Sequence, residues 1–132
     1  MASLKIFVSC LAVALALGVA ASAQERPTLA NSTPEQRAKV QTEFMTSKLE
    51  LAPDQATKVQ GINLKYAQKL EPVLKGTESQ MLKVRAAADI SRQKDTEFKQ
   101  VLSDEQYKKY LASKEEMRAH AEQRLEDRAP GQ

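Results

Sequence analysis

Few side chains in this 132-residue chain could do chemistry. His120, the single histidine, follows Glu116 by one helical turn with Glu115 beside it. A His–carboxylate pair of that spacing could tune a general base. Yet the only Cys is Cys10, no second His exists, and no Ser sits in a strained Gly-flanked turn. Nucleophilic catalysis lacks its attacking group, so His120 reads as a surface histidine on a charged helix and no enzyme is expected. His120 with Glu115 and Glu116 would hold a cation only weakly, because closing the site needs ligands from another helix or subunit. Met45, Met81 and Met117 fall at core spacing rather than in a copper-binding cluster. With four scattered glycines there is no phosphate-cradling loop, and no cofactor is expected.

The charges divide the chain before its helices do. Lys5 is the one charge in residues 1–23, ahead of the apolar run Ile6–Val19 and the small residues Ala21-Ser22-Ala23. This is the form of a secretory signal peptide cleaved between Ala23 and Gln24, so the chain is expected to be exported. The run is short of the ~20 residues a membrane span needs, so no stable insertion is expected after cleavage. Cys10 suggests a lipoprotein anchor, but Phe7 stands where a lipobox wants Leu and most of the apolar region would lie beyond the cut. Removing residues 1–23 removes the only thiol, which suits an oxidising compartment.

From Gln24 onward, 19 basic residues face 17 acidic ones, and only Lys108-Lys109 are adjacent bases. Such interleaving is a solvated surface, not a nucleic-acid groove. Val, Ile, Leu and Phe make up about 17 % of this segment, under the roughly 20 % that usually supports a compact core. Long helices, completed by a second chain, fit that composition better than one thick core.

The pattern predicts an all-α domain of about four helices over residues 33–127. A flexible lead-in over 24–32 precedes it and a flexible tail over 128–132 follows. Helix one opens at Thr33-Pro34-Glu35-Gln36 with a capping box and carries Val40, Phe44, Met45 and Leu49. Helix two follows Leu51-Ala52-Pro53-Asp54-Gln55, with Val59, Ile62, Tyr66, Leu70 and Val73 at helical steps. Pro72 predicts a kink or an end near Lys69–Glu71, and Gly76 a stop. Helix three opens at Thr77-Glu78-Ser79-Gln80 and carries Met81, Val84, Ala88, Phe98, Val101 and Leu102. Helix four opens at Ser103-Asp104-Glu105-Gln106, with Tyr107, Tyr110, Leu111, Met117, Ala121 and Leu125 behind it. Thr57-x-x-Gln60 and Ser113-x-x-Glu116 also match a capping box but fall inside expected helices.

Two of these starts share one form. Leu51-Ala52-Pro53-Asp54-Gln55 and Leu102-Ser103-Asp104-Glu105-Gln106 each set Leu before the cap, a small residue at it, acid in the first turn and Gln reaching back. On its own this describes two well-made helix starts. Together with the leader and the all-helical basic chain, it resembles the Spy/CpxP family of periplasmic proteins, with its paired Leu-Thr-x-x-Gln motifs. Thr33–Arg37 and Lys58–Tyr66 are similar to segments of that family, and the resemblance spans roughly 33–121. Neither motif keeps Thr, since Ala52 and Ser103 stand there.

The resemblance implies a long antiparallel helical hairpin and a cradle-like homodimer that shields unfolded proteins in the periplasm without ATP. Lys58, Lys65 and Tyr66 are then candidate client contacts, although helical spacing favours core or dimer-seam positions for Tyr66, Tyr107 and Tyr110. The other role the resemblance carries is a regulatory or metal-sensing partner of an envelope stress sensor kinase. A metal branch would show His, Met or Cys clusters that this chain lacks.

Ala52 occupies a capping position without a hydroxyl. Ala52→Thr should raise stability by about 1 kcal/mol, and Ser103→Ala should lower it by a similar amount. Thermal melts of the two variants check this; an unchanged or lowered melt for Ala52→Thr contradicts the cap assignment.

Overall fold

A computed structural model describes residues 31–127, and every regular element among them is an α-helix. There are five: α1 (Pro34–Leu49), α2 (Pro53–Lys75), α3 (Gln80–Val101), α4 (Asp104–Ala112) and α5 (Lys114–Asp127). The expected leader with its expected Ala23–Gln24 cut, most of the expected lead-in and the tail over 128–132 lie outside the described residues. No described helix is long and apolar enough to cross a membrane.

The helix starts follow their caps. Thr33 Oγ1 accepts from Gln36 N at 3.2 Å, and Gln36 Oε1 accepts from Thr33 N at 2.9 Å. Ser103 and Gln106 repeat the exchange at 3.2 and 3.0 Å. At α2 only half of it exists. Gln55 Oε1 takes Ala52 N at 3.1 Å, and Ala52 has nothing to return.

Several boundaries differ from the sequence expectation. α3 is capped by Ser79, whose Oγ accepts from Leu82 N at 3.4 Å, so the helix begins two residues later than a Thr77 cap would place it. α2 runs through Pro72 to Lys75 instead of ending near Lys69–Glu71. Pro72 stands in the last turn, where its missing N–H removes a single bond and little helix follows. Gly76 does stop α2, by close approach: a Cβ there would stand 2.9 Å from the Pro72 carbonyl.

The expected fourth helix is two, broken at Ser113. Its hydroxyl donates back to the Lys109 carbonyl at 2.5 Å, and its N–H is shared between the Lys109 and Tyr110 carbonyls. Such back-bonding bends a helix. The Ser113 box therefore marks a real boundary, although Ser113 makes no forward cap. Thr57 likewise donates back, to Pro53 O at 3.1 Å, but inside an unbroken α2.

The core gathers where the two pentapeptides lie. Met45, Leu49, Leu51, Val59, Phe98, Leu102, Tyr110 and Met117 are buried together, with Phe44, Ile62, Val101 and Tyr107 half-buried around them. Val40, Ala121 and Leu125 form a smaller cluster joining α1 to α5. Along α2 and α3, Gln55 meets Val101, Tyr66 meets Glu97 and Lys69 meets Gln93, so numbers rise on one helix as they fall on the other. Past Ala67 the packing thins. Met81 and Val84, expected in the stripe of helix three, are 73 % and 59 % exposed, and Ala88 and Leu111 are exposed too. The start of α1 lies beside Glu71, where Arg37 reaches α2.

Besides Ser113 at the helix break, three polar residues are buried among those described. Ser32, assigned to the lead-in, is 3 % exposed and its carbonyl accepts from Arg37. Arg37 is buried at the start of α1 and reaches α2 through the Ala67 carbonyl at 3.2 Å and Glu71 Oε2 at 2.5 Å. Asn63 donates to Thr42 Oγ1 at 2.9 Å across α1 and α2. Arg37 lies three residues before Val40 and seven before Phe44, on the buried stripe of α1.

Glu50 ends α1 in the left-handed region, φ 52 and ψ 53, with its own N–H and that of Leu51 turned onto the Thr46 carbonyl. That conformation costs an L-residue roughly 1–2 kcal/mol, part of which glycine returns through its freer unfolded chain. Glu50→Gly should stabilise the fold by about 0.5–1 kcal/mol. Chemical denaturation beside Glu50→Ala, which should gain nothing, is the check; a loss on placing Gly there would contradict this geometry.

Candidate functional site

The two pentapeptides, 51 residues apart, meet in space. Gln55 Nε2 donates to Gln106 Oε1 at 2.8 Å, and Gln106 Nε2 donates to Gln55 Oε1 at 3.2 Å. Each amide oxygen also caps its own helix, taking Ala52 N or Ser103 N. Each amide nitrogen also donates across the chain, Gln55 to Val101 O at 3.2 Å and Gln106 to Leu49 O at 3.3 Å. All four bonding positions of both amides are filled. Leu49 and Val101 close α1 and α3, so the pair supplies donors to carbonyls that helix ends leave free. Leu51 and Leu102, ahead of the caps, are both buried in the core beneath.

The remaining expected contact residues separate. Lys58 and Lys65 are exposed on α2, and Lys65 pairs with Glu97. Tyr66 is not available at the surface. It is 4 % exposed, its OH donates to Glu97 Oε1 at 2.7 Å, and the Lys69 ammonium lies 4.8 Å from its ring centre. Burial, with the Glu97 carboxylate beside it, pushes the phenol up to about 12. The Lys65 ammonium and the Tyr66 hydroxyl hold Glu97 below the usual carboxylate range. Tyr110 is also buried and Tyr107 half-buried, so the tyrosines serve packing.

His120 is half-buried rather than on the surface, its ring 5.2 Å from that of Phe44. Glu116 is turned to Lys48 at 2.7 Å. Among the described residues no group of three or more His, Cys, Asp or Glu could hold a metal. Met45 and Met117 pack in the core, whereas Met81 does not. What the surface offers instead is apolar. Met81, Leu82 (49 % exposed) and Val84 stand on the first turns of α3 among Lys83 and Arg85. Beside them a shallow groove runs between Pro72 and Val73 on α2 and Leu82 and Ala86 on α3.

Residues 21–110 match DUF4890, a domain of unknown function. The chain belongs to the DUF4890 family. No curated protein and no solved structure matches it. The DUF4890 span contains both pentapeptides, the glutamine pair and the exposed turns of α3, and it stops at Tyr110, before α5.

Sequence reasoning found each glutamine as a cap and missed that they meet. A signal was there: the backward capping bond uses only the amide oxygen and leaves two donors on each Gln unassigned. If the pair is one unit, Gln55→Ala and Gln106→Ala should each cost about 1–3 kcal/mol. The double variant should cost less than their sum, with a coupling of roughly 0.5–3 kcal/mol. Denaturant titration of the cycle measures it, and strict additivity would show that the two starts are independent.

Proposed function

We propose that this DUF4890 protein is an ATP-independent, holdase-type chaperone of the Spy/CpxP kind that binds unfolded envelope proteins in the periplasm. In this reading α2 and α3 form a long antiparallel hairpin, and two copies make a cradle-like homodimer. The observation that carries it is the exposed apolar run of Met81, Leu82 and Val84 beside Lys83 and Arg85 on α3. Contiguous apolar surface rimmed by polar residues suits contact with other chains. Lysines and arginines beside it add charge attraction that is loose and salt-sensitive, as a binder of many sequences needs. The fully bonded glutamine pair supports a division of labour: one end of the domain is held rigid, and the far end of α2 and α3 meets the client.

The experiment is suppression of aggregation of an unrelated unfolding protein, with and without ATP. Protection should be the same in both, and protection only with ATP would sink the reading. Leu82→Ser with Val84→Ser should at least halve protection while leaving the melt unchanged, since neither side chain is buried. Charge reversal at Lys58 should weaken protection at low salt and change little at high salt. Sedimentation equilibrium should give a dimer at micromolar concentration. A monomer would remove the cradle-like dimer, and full protection by the double serine variant would remove the role given to α3.

A further inference from the structure

All five helices border one cavity of about 300 Å³. Its walls are apolar: Ala67, Leu70 and Leu74 from α2, Ala87 and Ile90 from α3, and Met117 from α5. Into it α3 also brings Lys94. The ammonium donates to Gln41 Oε1 of α1 at 2.7 Å and lies 5.4 Å from the Phe98 ring centre. Among the described residues Lys94 makes no ion pair, while each other cation at the cavity has one. Arg37 of α1 holds Glu71, Lys114 of α5 holds Asp95 at 2.8 Å, and Arg118 of α5 holds Glu122. Asp95, next to Lys94, is occupied by Lys114 and by the Tyr110 hydroxyl of α4 at 2.7 Å. On the α2 side, Tyr66 turns its hydroxyl to Glu97. Among the described residues no Asp or Glu lines the cavity.

We propose that this cavity binds a small amphipathic carboxylate, a medium-chain fatty-acid anion, with its head on Lys94 and Gln41 and its tail along the wall of α2 and α3. A half-buried cation without an ion-pair partner is the costly element of such a site, and an anionic head offsets that cost. The space takes roughly ten water-sized groups at ~30 Å³ each, which is the heavy-atom count of octanoate. A largely apolar wall with a few polar and cationic groups, of which Lys94 alone has no ion-pair partner among the described residues, also matches the usual make-up of small-molecule sites. This reading does not depend on chaperone activity.

Burial in the cleft pushes the Lys94 ammonium down to about 7, with Lys114 adding to the effect and Asp95 opposing it. Above that pH the free site is mostly neutral. A bound carboxylate restores the ammonium, so binding there takes up a proton, and affinity falls as pH rises through about 7.

Calorimetric titration of the full chain with octanoate is the test, with octanol and acetate as probes of tail alone and head alone. One octanoate per chain should bind at least tenfold more tightly than either. Titrations near pH 8 in buffers of different ionisation heat should show proton uptake. Lys94→Met keeps the stem and should lose at least tenfold in octanoate affinity and the proton uptake, with the melt unchanged or raised. Ala87→Leu keeps Lys94, narrows the space and should also weaken binding, so the proposal stays testable if the first variant fails to fold. Absence of saturable one-to-one binding, equal binding of octanol, or undiminished binding by Lys94→Met would overturn it.

Discussion

Gln55 and Gln106 bring four helix ends to one place. Their oxygens start α2 and α4, and their nitrogens finish α1 and α3. Because every position on both amides is used, neither side chain can turn without breaking a capping bond as well as the contact between them. The constraint also explains the residue type. A capping box accepts Glu as readily as Gln. Here two carboxylates would face each other with no donors between them, and the carbonyls of Leu49 and Val101 would lose their partners. Only the amide serves both ends of the bond.

The rest of the packing follows from that junction. Leu51 and Leu102 are carried under it by the chain turns it holds, and Phe98, Tyr110 and Met117 complete the layer. Farther along, α1 and α2 are joined by Asn63 and Arg37, and α2 and α3 by Glu97, whose carboxylate receives both Lys65 and Tyr66. These links are polar, fitting a chain whose aliphatic content is too low to cover three long helices. Beyond Glu71 neither kind of link reaches the start of α3.

Much of the fold was legible in the sequence because local rules decide it. The caps at Thr33 and Ser103, the stop at Gly76 and the buried stripe of α1 rest on residues within a turn of each other. What the sequence hid was decided across the chain. Met81 and Val84 have helical spacing, but spacing cannot say whether a neighbour exists to cover them. Arg37 and Asn63 look like surface residues until α2 lies against α1. Thr57 and Ser113 carry the same short pattern, yet one lies in a continuous helix and the other at a break. At the candidate surface, Lys58 and Lys65 were legible as exposed cations, while Tyr66 was lost to the interior because Glu97 and two lysines close over it. Lys94, without an ion pair among the described residues, was invisible, since it reads as one more lysine among many.

The one-sided anchoring of α2 and α3 also divides the molecule by how easily it opens. Residues around the glutamine junction can expose their amides only when several helix ends come apart together, close to global unfolding. The last turns of α2 and the first turns of α3 bury little and lack such a tie, so they can fray and re-form while the junction stays closed. A surface that loosens without unfolding its base can fit partners of different shape. The energy of fitting is then set by a few turns of helix and not by the stability of the whole domain.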